Sequence, residues 1–143
     1  MKRKKMSELT PRQRELRIEK IQVDKLKKEA DNLWHKAVIK KYGRDCFFHN
    51  HSLRATNHIK TAFTCHHYFP KGCYPELRYD IDNGVPMCWP CHFRLENRDK
   101  SMRDEILLKR GVEWYQGLRD ISMKKDKSYK NMLYYKKIIE QLQ

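Results

Sequence analysis

Apolar residues at Leu16, Ile21, Leu26, Ala30, Leu33, Trp34, Ala37 and Val38 recur at near-helical spacing and crowd together towards the end of that series. Thr10 can cap the helix they imply, Pro11 suits its first position, Gln13 stands where a capping box needs it, and Gly43 is a natural stop. The pattern predicts one long helix over roughly 11–41, its second half packed on a core and its first half projecting as a basic arm. The rhythm then changes. Residues 44–87 read as irregular and strand-like, with a β-branched and aromatic run at 61–69 that stops at the turn Pro70-Lys71-Gly72. Residues 80–84 read as a second turn. A short helix is expected from near Pro90 to about Arg98. Ser101, with Asp104 three residues on, is expected to cap another that ends before Gly111. Two further helices fit about 112–124 and 129–142.

Composition narrows the class. A chain of 143 residues has room for one core with helical extensions, and 39% hydrophobic against 35% charged content makes that core small. No apolar run reaches membrane-spanning length, and the basic start Met1-Lys2-Arg3-Lys4-Lys5 leads into no apolar segment. A soluble, cytoplasmic protein without a membrane partner is therefore expected. The net charge of +14 is uneven: residues 2–41 hold 14 Lys/Arg against 6 Asp/Glu, residues 42–100 hold 8 against 6, and residues 101–143 hold 10 against 6. Basic flanks around a nearly neutral middle point to a polyanion, above all nucleic acid, gripped by displacing its counterions. The plain alternative is a set of Lys-rich helices that are merely soluble.

That middle carries the chemistry. Five cysteines are an odd number, and two of them form Cys88-x-x-Cys91, which favours thiolates on a metal over disulfides. Structural zinc takes four N or S ligands, so Cys88 and Cys91 need a second pair. Cys46 and His49, spaced C-x-x-H, are the best candidates, with His51 as a substitute. Cys65 and Cys73 are expected to be free thiols.

Hydrolysis of a phosphodiester needs a base to activate water and a cation to neutralise developing charge. His66 and His67 are neighbours, so on a strand they share a site only where it bends or ends, and Pro70 and Gly72 supply that bend. His92 and Glu96 are four apart and fall on one helical face. His66, His92 and Glu96 then make a one-cation site, and His67 is left as general base. Each residue alone also has a bland reading: polar strand positions, a turn residue at Asn83, a surplus zinc ligand at His92, a solvated Glu96. Arg78, Arg94 and Lys71 are candidates to hold the scissile phosphate, or plain surface charges. Tyr129, Tyr134 and Tyr135, interleaved with Lys130, Lys136 and Lys137, could stack on bases or form the inner face of a terminal helix.

The order His66-His67, Asn83, Cys88-x-x-Cys91-His92 resembles the HNH nucleases, also called the ββα-metal or His-Me finger superfamily. The resemblance implies His67 as base, His66 as metal ligand, Asn83 as the brace of the loop that carries the base, and His92 on the metal-binding helix. Glu96 stands where related nucleases often have a second His, and a carboxylate also ligates divalent cations. A narrower likeness covers roughly residues 44–140. His67-Tyr68, Pro75-Glu76-Leu77-Arg78-Tyr79, Asp82-Asn83 and Cys88-x-x-Cys91, with Arg103, Ile106, Leu107 and Gly111 beyond, look like the phage recombination endonucleases of the lambda Rap (NinG) group. Two features depart from that group: it usually has C-x-x-C where Cys46-x-x-His49 stands, and Gly and Asn where His66 and His92 stand. It implies cleavage of branched DNA such as D-loops and Holliday-type junctions, ends carrying 5′-phosphate and 3′-hydroxyl, recombination proteins as partners, and the host cytoplasm as location.

The expectation is thus an α+β protein: a zinc-stapled ββα-metal core at 44–100, a basic helical arm at 1–43 and a helical tail at 101–143. Structural Zn²⁺ and catalytic Mg²⁺ or Mn²⁺ are its expected cofactors. The long helix could pair with a copy of itself in a homodimer. The rivals are a non-catalytic zinc module that binds nucleic acid, and a sequence-specific nuclease of the homing or restriction type.

Overall fold

The structure, a computed structural model, describes residues 4–48, 63–124 and 131–143. His49, His51, Thr61, Ala62, Tyr129 and Lys130 lie outside these residues. Helix α1 spans Pro11–Tyr42, as the pattern predicts. Gln13 N donates to Thr10 Oγ1 at 3.3 Å, and Thr10 N donates to Gln13 Oε1 at 3.0 Å, closing the predicted capping box. Gly43, at φ +85, ends the helix in a conformation that a side chain would strain. Side chains on the first half are mostly exposed. Ala30, Trp34 and Val38, four residues apart, are buried.

Strand β1 (Phe63–His67) pairs antiparallel with β2 (Gly84–Cys88), placing Phe63 opposite Cys88 and His67 opposite Gly84. The expected strand stops two residues early: Tyr68 N still donates to Asn83 O at 2.9 Å in the register of the ladder, but Phe69 N turns to the Asn83 side chain, donating to Oδ1 at 2.7 Å. Asn83 thereby draws the chain away from the sheet. The expected turn at 80–84 is a 3₁₀ turn, Ile81–Asn83, and β2 follows it directly. Nothing in the polar pattern singles out β2, since every residue in it is buried and no alternation remains to be read.

Helix α2 is Trp89–Glu96, α3 is Lys100–Arg110, α4 is Val112–Met123 and α5 is Met132–Leu142. The cap of α3 is Asp99, not Ser101: Asp99 Oδ1 accepts from Met102 N at 3.3 Å and from the Ser101 hydroxyl. Arg98, at φ +64, turns the chain just after α2, so Ser101 falls inside the first turn of α3. Tyr135 and Ile139 of α5 are buried against Ala30 and Trp34 of α1, which settles Tyr135 as an inner-face residue. A second apolar cluster joins Leu77, Val85, Met87, Leu95, Met102, Ile106 and Leu118 around the cysteines. The result is a mixed helix-and-strand fold in which the second half of α1 is part of the core. Among the described residues no helix is long and apolar enough to cross a membrane.

Gly84 lets α1 lie this close to the sheet. A Cβ there would collide with Val38 and stand 3.1 Å from Trp34 Cζ2. Overpacking of this kind costs about 1–3 kcal/mol. Gly84→Ala is therefore expected to lower the urea unfolding free energy by about that amount. An unchanged midpoint would show that α1 is not seated on the sheet as described.

Candidate functional site

Cys46 follows α1, Cys88 closes β2 and Cys91 lies in the first turn of α2. Cys46 Sγ is 3.7 Å from Cys88 Sγ and 3.8 Å from Cys91 Sγ, and Cys88 N donates to Cys46 Sγ at 3.4 Å. Two sulfurs about 2.3 Å from a tetrahedral zinc lie about 3.8 Å apart, so the spacing fits such an ion. All three are buried, and their ligand atoms all lie within 4.8 Å of one another, so they could hold a metal ion. Burial, followed by hydrogen bonds and charge from the other two sulfurs, pushes the Cys91 thiol well above its ordinary range. A bound cation reverses that preference by favouring thiolates. Cys65, expected to be free, is a buried thiol whose pKa burial raises to about 12. Cys73 is an exposed free thiol.

Beside this knuckle lies a cleft of about 1130 Å³, lined by His66, His67, His92 and Glu96, by Asp31, Trp34 and His35 of α1, and by Lys71. The neighbours His66 and His67 face different elements, as a strand requires. His66 packs edge-on to His92, ring centroids 5.3 Å apart. His67 stacks flat on Trp34, centroids 3.9 Å apart and planes 8° apart.

His67 Nε2 lies 2.9 Å from Arg78 O. A carbonyl only accepts, so that nitrogen carries the proton and Nδ1 is left as the neutral ring's proton acceptor. Burial holds the His67 pKa down to about 4, with Lys71 and the Arg78 guanidinium acting the same way and the Arg78 carbonyl and Asp31 opposing. Burial, and then His92, His67 and Arg103, hold His66 down to about 3. Both rings are neutral at pH 7. Unfolded histidine takes its proton near pH 6.5, so between there and about pH 4 the unfolded chain binds more protons than the folded one. Stability then falls as pH falls through that window, by roughly 4 kcal/mol for the pair at pH 5. The slope of the urea midpoint against pH should roughly halve in His67→Gln; a slope left unchanged would contradict this burial.

Asn83 is fully buried and does not line the cleft. Its Nδ2 donates to Phe69 O at 3.0 Å and Leu77 O at 3.1 Å, while Oδ1 accepts from Phe69 N. It ties together the two ends of the loop after His67. His92 Nε2 is 3.5 Å from Glu96 Oε1, and His92 Nδ1 is buried without a hydrogen-bond partner. His66, His92 and Glu96 thus share the cleft, but as they stand only the cysteines, among the described residues, form a tight ligand group.

The residues expected to hold phosphate differ in their settings. Arg78 is not free: its Nη2 donates to both Asp31 carboxylate oxygens at 2.9 Å, and it does not line the cleft. Arg94 pairs with Asp99 at 2.9 Å and also lies outside the cleft lining. Lys71 does line the cleft, and it is joined there by Arg98, Lys100 and Arg103. Arg103 sits over the Tyr68 ring at 4.1 Å and donates to Tyr68 O at 2.8 Å. Arg98 occupies a position usually taken by glycine, with N–H bonds from Arg98 to Leu95 O and from Asp99 to Arg94 O closing α2. A side chain there costs on the order of 1 kcal/mol, and at this site it brings a guanidinium to the cleft. Comparison of the chain with protein-family models, with curated proteins and with solved structures gives no match.

Proposed function

We propose that this protein is a metal-dependent DNA endonuclease of the HNH type. The observation that carries the reading is the setting of His67: a neutral ring with its proton tied to Arg78 O, in a cleft shared with His66, His92 and Glu96. His67 Nδ1 takes a proton from water as the water oxygen attacks phosphorus. The bond from phosphorus to the 3′-oxygen breaks, and the electron pair leaves on that oxygen, which takes a proton from solvent. The products are a 5′-phosphate and a 3′-hydroxyl, and His67 returns its proton to solvent. A phosphate beside the ring favours the imidazolium, so bound DNA makes His67 a better proton acceptor. Lys71, Arg98 and Arg103 orient the phosphate through its oxygens.

The neutral His66 imidazole, a buried His92 nitrogen without a hydrogen-bond partner and the Glu96 carboxylate are a donor set suited to a divalent cation. His66, His92 and Glu96 are the residues that would hold Mg²⁺ or Mn²⁺, which would supply positive charge against the leaving oxygen. Cys46, Cys88 and Cys91 would hold a structural zinc, with His49 or His51 as the fourth ligand expected from the sequence. The basic flanks grip the DNA backbone, and the likeness to phage recombination endonucleases favours branched substrates.

The test is cleavage of linear, flapped and four-way DNA with Mg²⁺ or Mn²⁺. Cuts that follow the branch rather than a sequence are expected. Tight binding without cleavage in any cation would leave a zinc-containing binding module instead. A fixed cut sequence on linear duplex would mark a homing or restriction type.

A further inference from the structure

Asp31 and Trp34 are one helical turn apart on α1, a helix outside the ββα core to which the catalytic chemistry is assigned. Both reach towards His67 and the short segment 78–80. Trp34 covers one face of the His67 ring almost parallel, and its Nε1 donates to Asp80 O at 2.8 Å. Asp31 takes the Arg78 guanidinium at Nη2 and at Nε, the latter 3.1 Å away, while the carbonyl of that same Arg78 accepts from His67 Nε2. The contacts close a ring: indole on imidazole, imidazole on Arg78 O, indole on Asp80 O, and Asp31 on the Arg78 side chain. Gly84, cross-strand partner of His67, leaves the space that admits Trp34.

The geometry points to α1 as a clamp that positions the catalytic base, with Trp34 setting the plane of the His67 ring and Asp31 steadying the carbonyl that orients it. This rests on the nuclease reading, and it makes both side chains positioning residues rather than catalytic ones. A ring turned over about its Cβ–Cγ bond would lose its bond to Arg78 O. A ring tilted out of plane would lose the indole. One orientation therefore keeps both contacts, and Nδ1 is held for attack before DNA arrives. A long basic helix that reads as a DNA-gripping arm thereby becomes one wall of the active site.

The experiment compares Trp34→Leu, Trp34→Phe and Asp31→Asn with wild type in single-turnover cleavage and in DNA binding. Trp34→Leu should lower kcat about 100-fold with KM within about twofold, because misplacing a reacting group costs about that much. Trp34→Phe keeps a flat ring and should recover most of the rate. Asp31→Asn, on a side chain 40% exposed, should leave folding intact and lower kcat about 10-fold. In protein free of DNA, the stacked indole should shift the His67 ring protons upfield in the NMR spectrum, and Trp34→Leu should abolish that shift. An active wild type whose Trp34→Leu form keeps kcat, or loses only KM or stability, overturns the clamp alone. So does a wild-type spectrum without the upfield shift. A wild type inert with every divalent cation overturns the nuclease reading, and the clamp with it.

Discussion

Cys88→Ser is expected to abolish cooperative unfolding of the core together with the zinc binding proposed for its cysteines. Cys46, Cys88 and Cys91 bring the segment after α1, the end of β2 and the start of α2 to one point. A structural zinc contributes on the order of 10–16 kcal/mol in small finger peptides. That is comparable to the whole stability of a domain, about 5–15 kcal/mol. A serine oxygen is a poor replacement for a thiolate on a borderline-soft ion. Thermal melting by circular dichroism with a metal assay of the purified protein checks this. A chelator should reproduce the effect in wild type. If Cys88→Ser melts as wild type does and carries the same metal, the cysteine cluster is not the staple described.

His67→Ala is the second large effect, and it falls on rate rather than on folding. Removing the group proposed to take the proton from water should cost about 100- to 10,000-fold in kcat, with DNA affinity held within a fewfold if the basic flanks carry the binding. Folding should survive, because the deletion removes one face of a stack and one hydrogen bond, whereas the strand ladder and the Asn83 bonds beyond it still hold β1 to β2. Parallel measurement of cleavage and of binding by gel shift separates the two. Equal losses in both would mean that His67 supports the fold or the DNA interface instead of the reaction. The contrast with Cys88→Ser is the informative part: one variant folds without cutting, the other does not fold.

Local signals made the helices legible. Thr10, Pro11, Gln13 and Gly43 bound α1 because capping depends on residues three or four apart. Pro90 and Gly111 mark α2 and the end of α3 for the same reason. Asn83 was legible as a residue type but not as a structure: its three side-chain bonds reach Phe69 and Leu77, which no local pattern ties to it. The cap at Asp99 rather than Ser101 turned on Arg98 adopting a positive φ, a choice nothing in its own side chain announces.

The chain's own order determined the mixed class, the limits of α1 and the pairing of Cys88 with Cys91, since these follow from spacing along a helix or turn. Only the folded arrangement decided which charges line the cleft. Arg78 and Arg94 look as suited to phosphate as Arg98 and Arg103, yet Asp31 and Asp99 occupy the first two, while the latter two line the cleft. It also decided that Trp34, far from His67 in the chain, lies flat on its ring. Spacing reports which residues share an element, but the partner a side chain meets across the core depends on how elements pack, and that is set by shape and burial over the whole molecule.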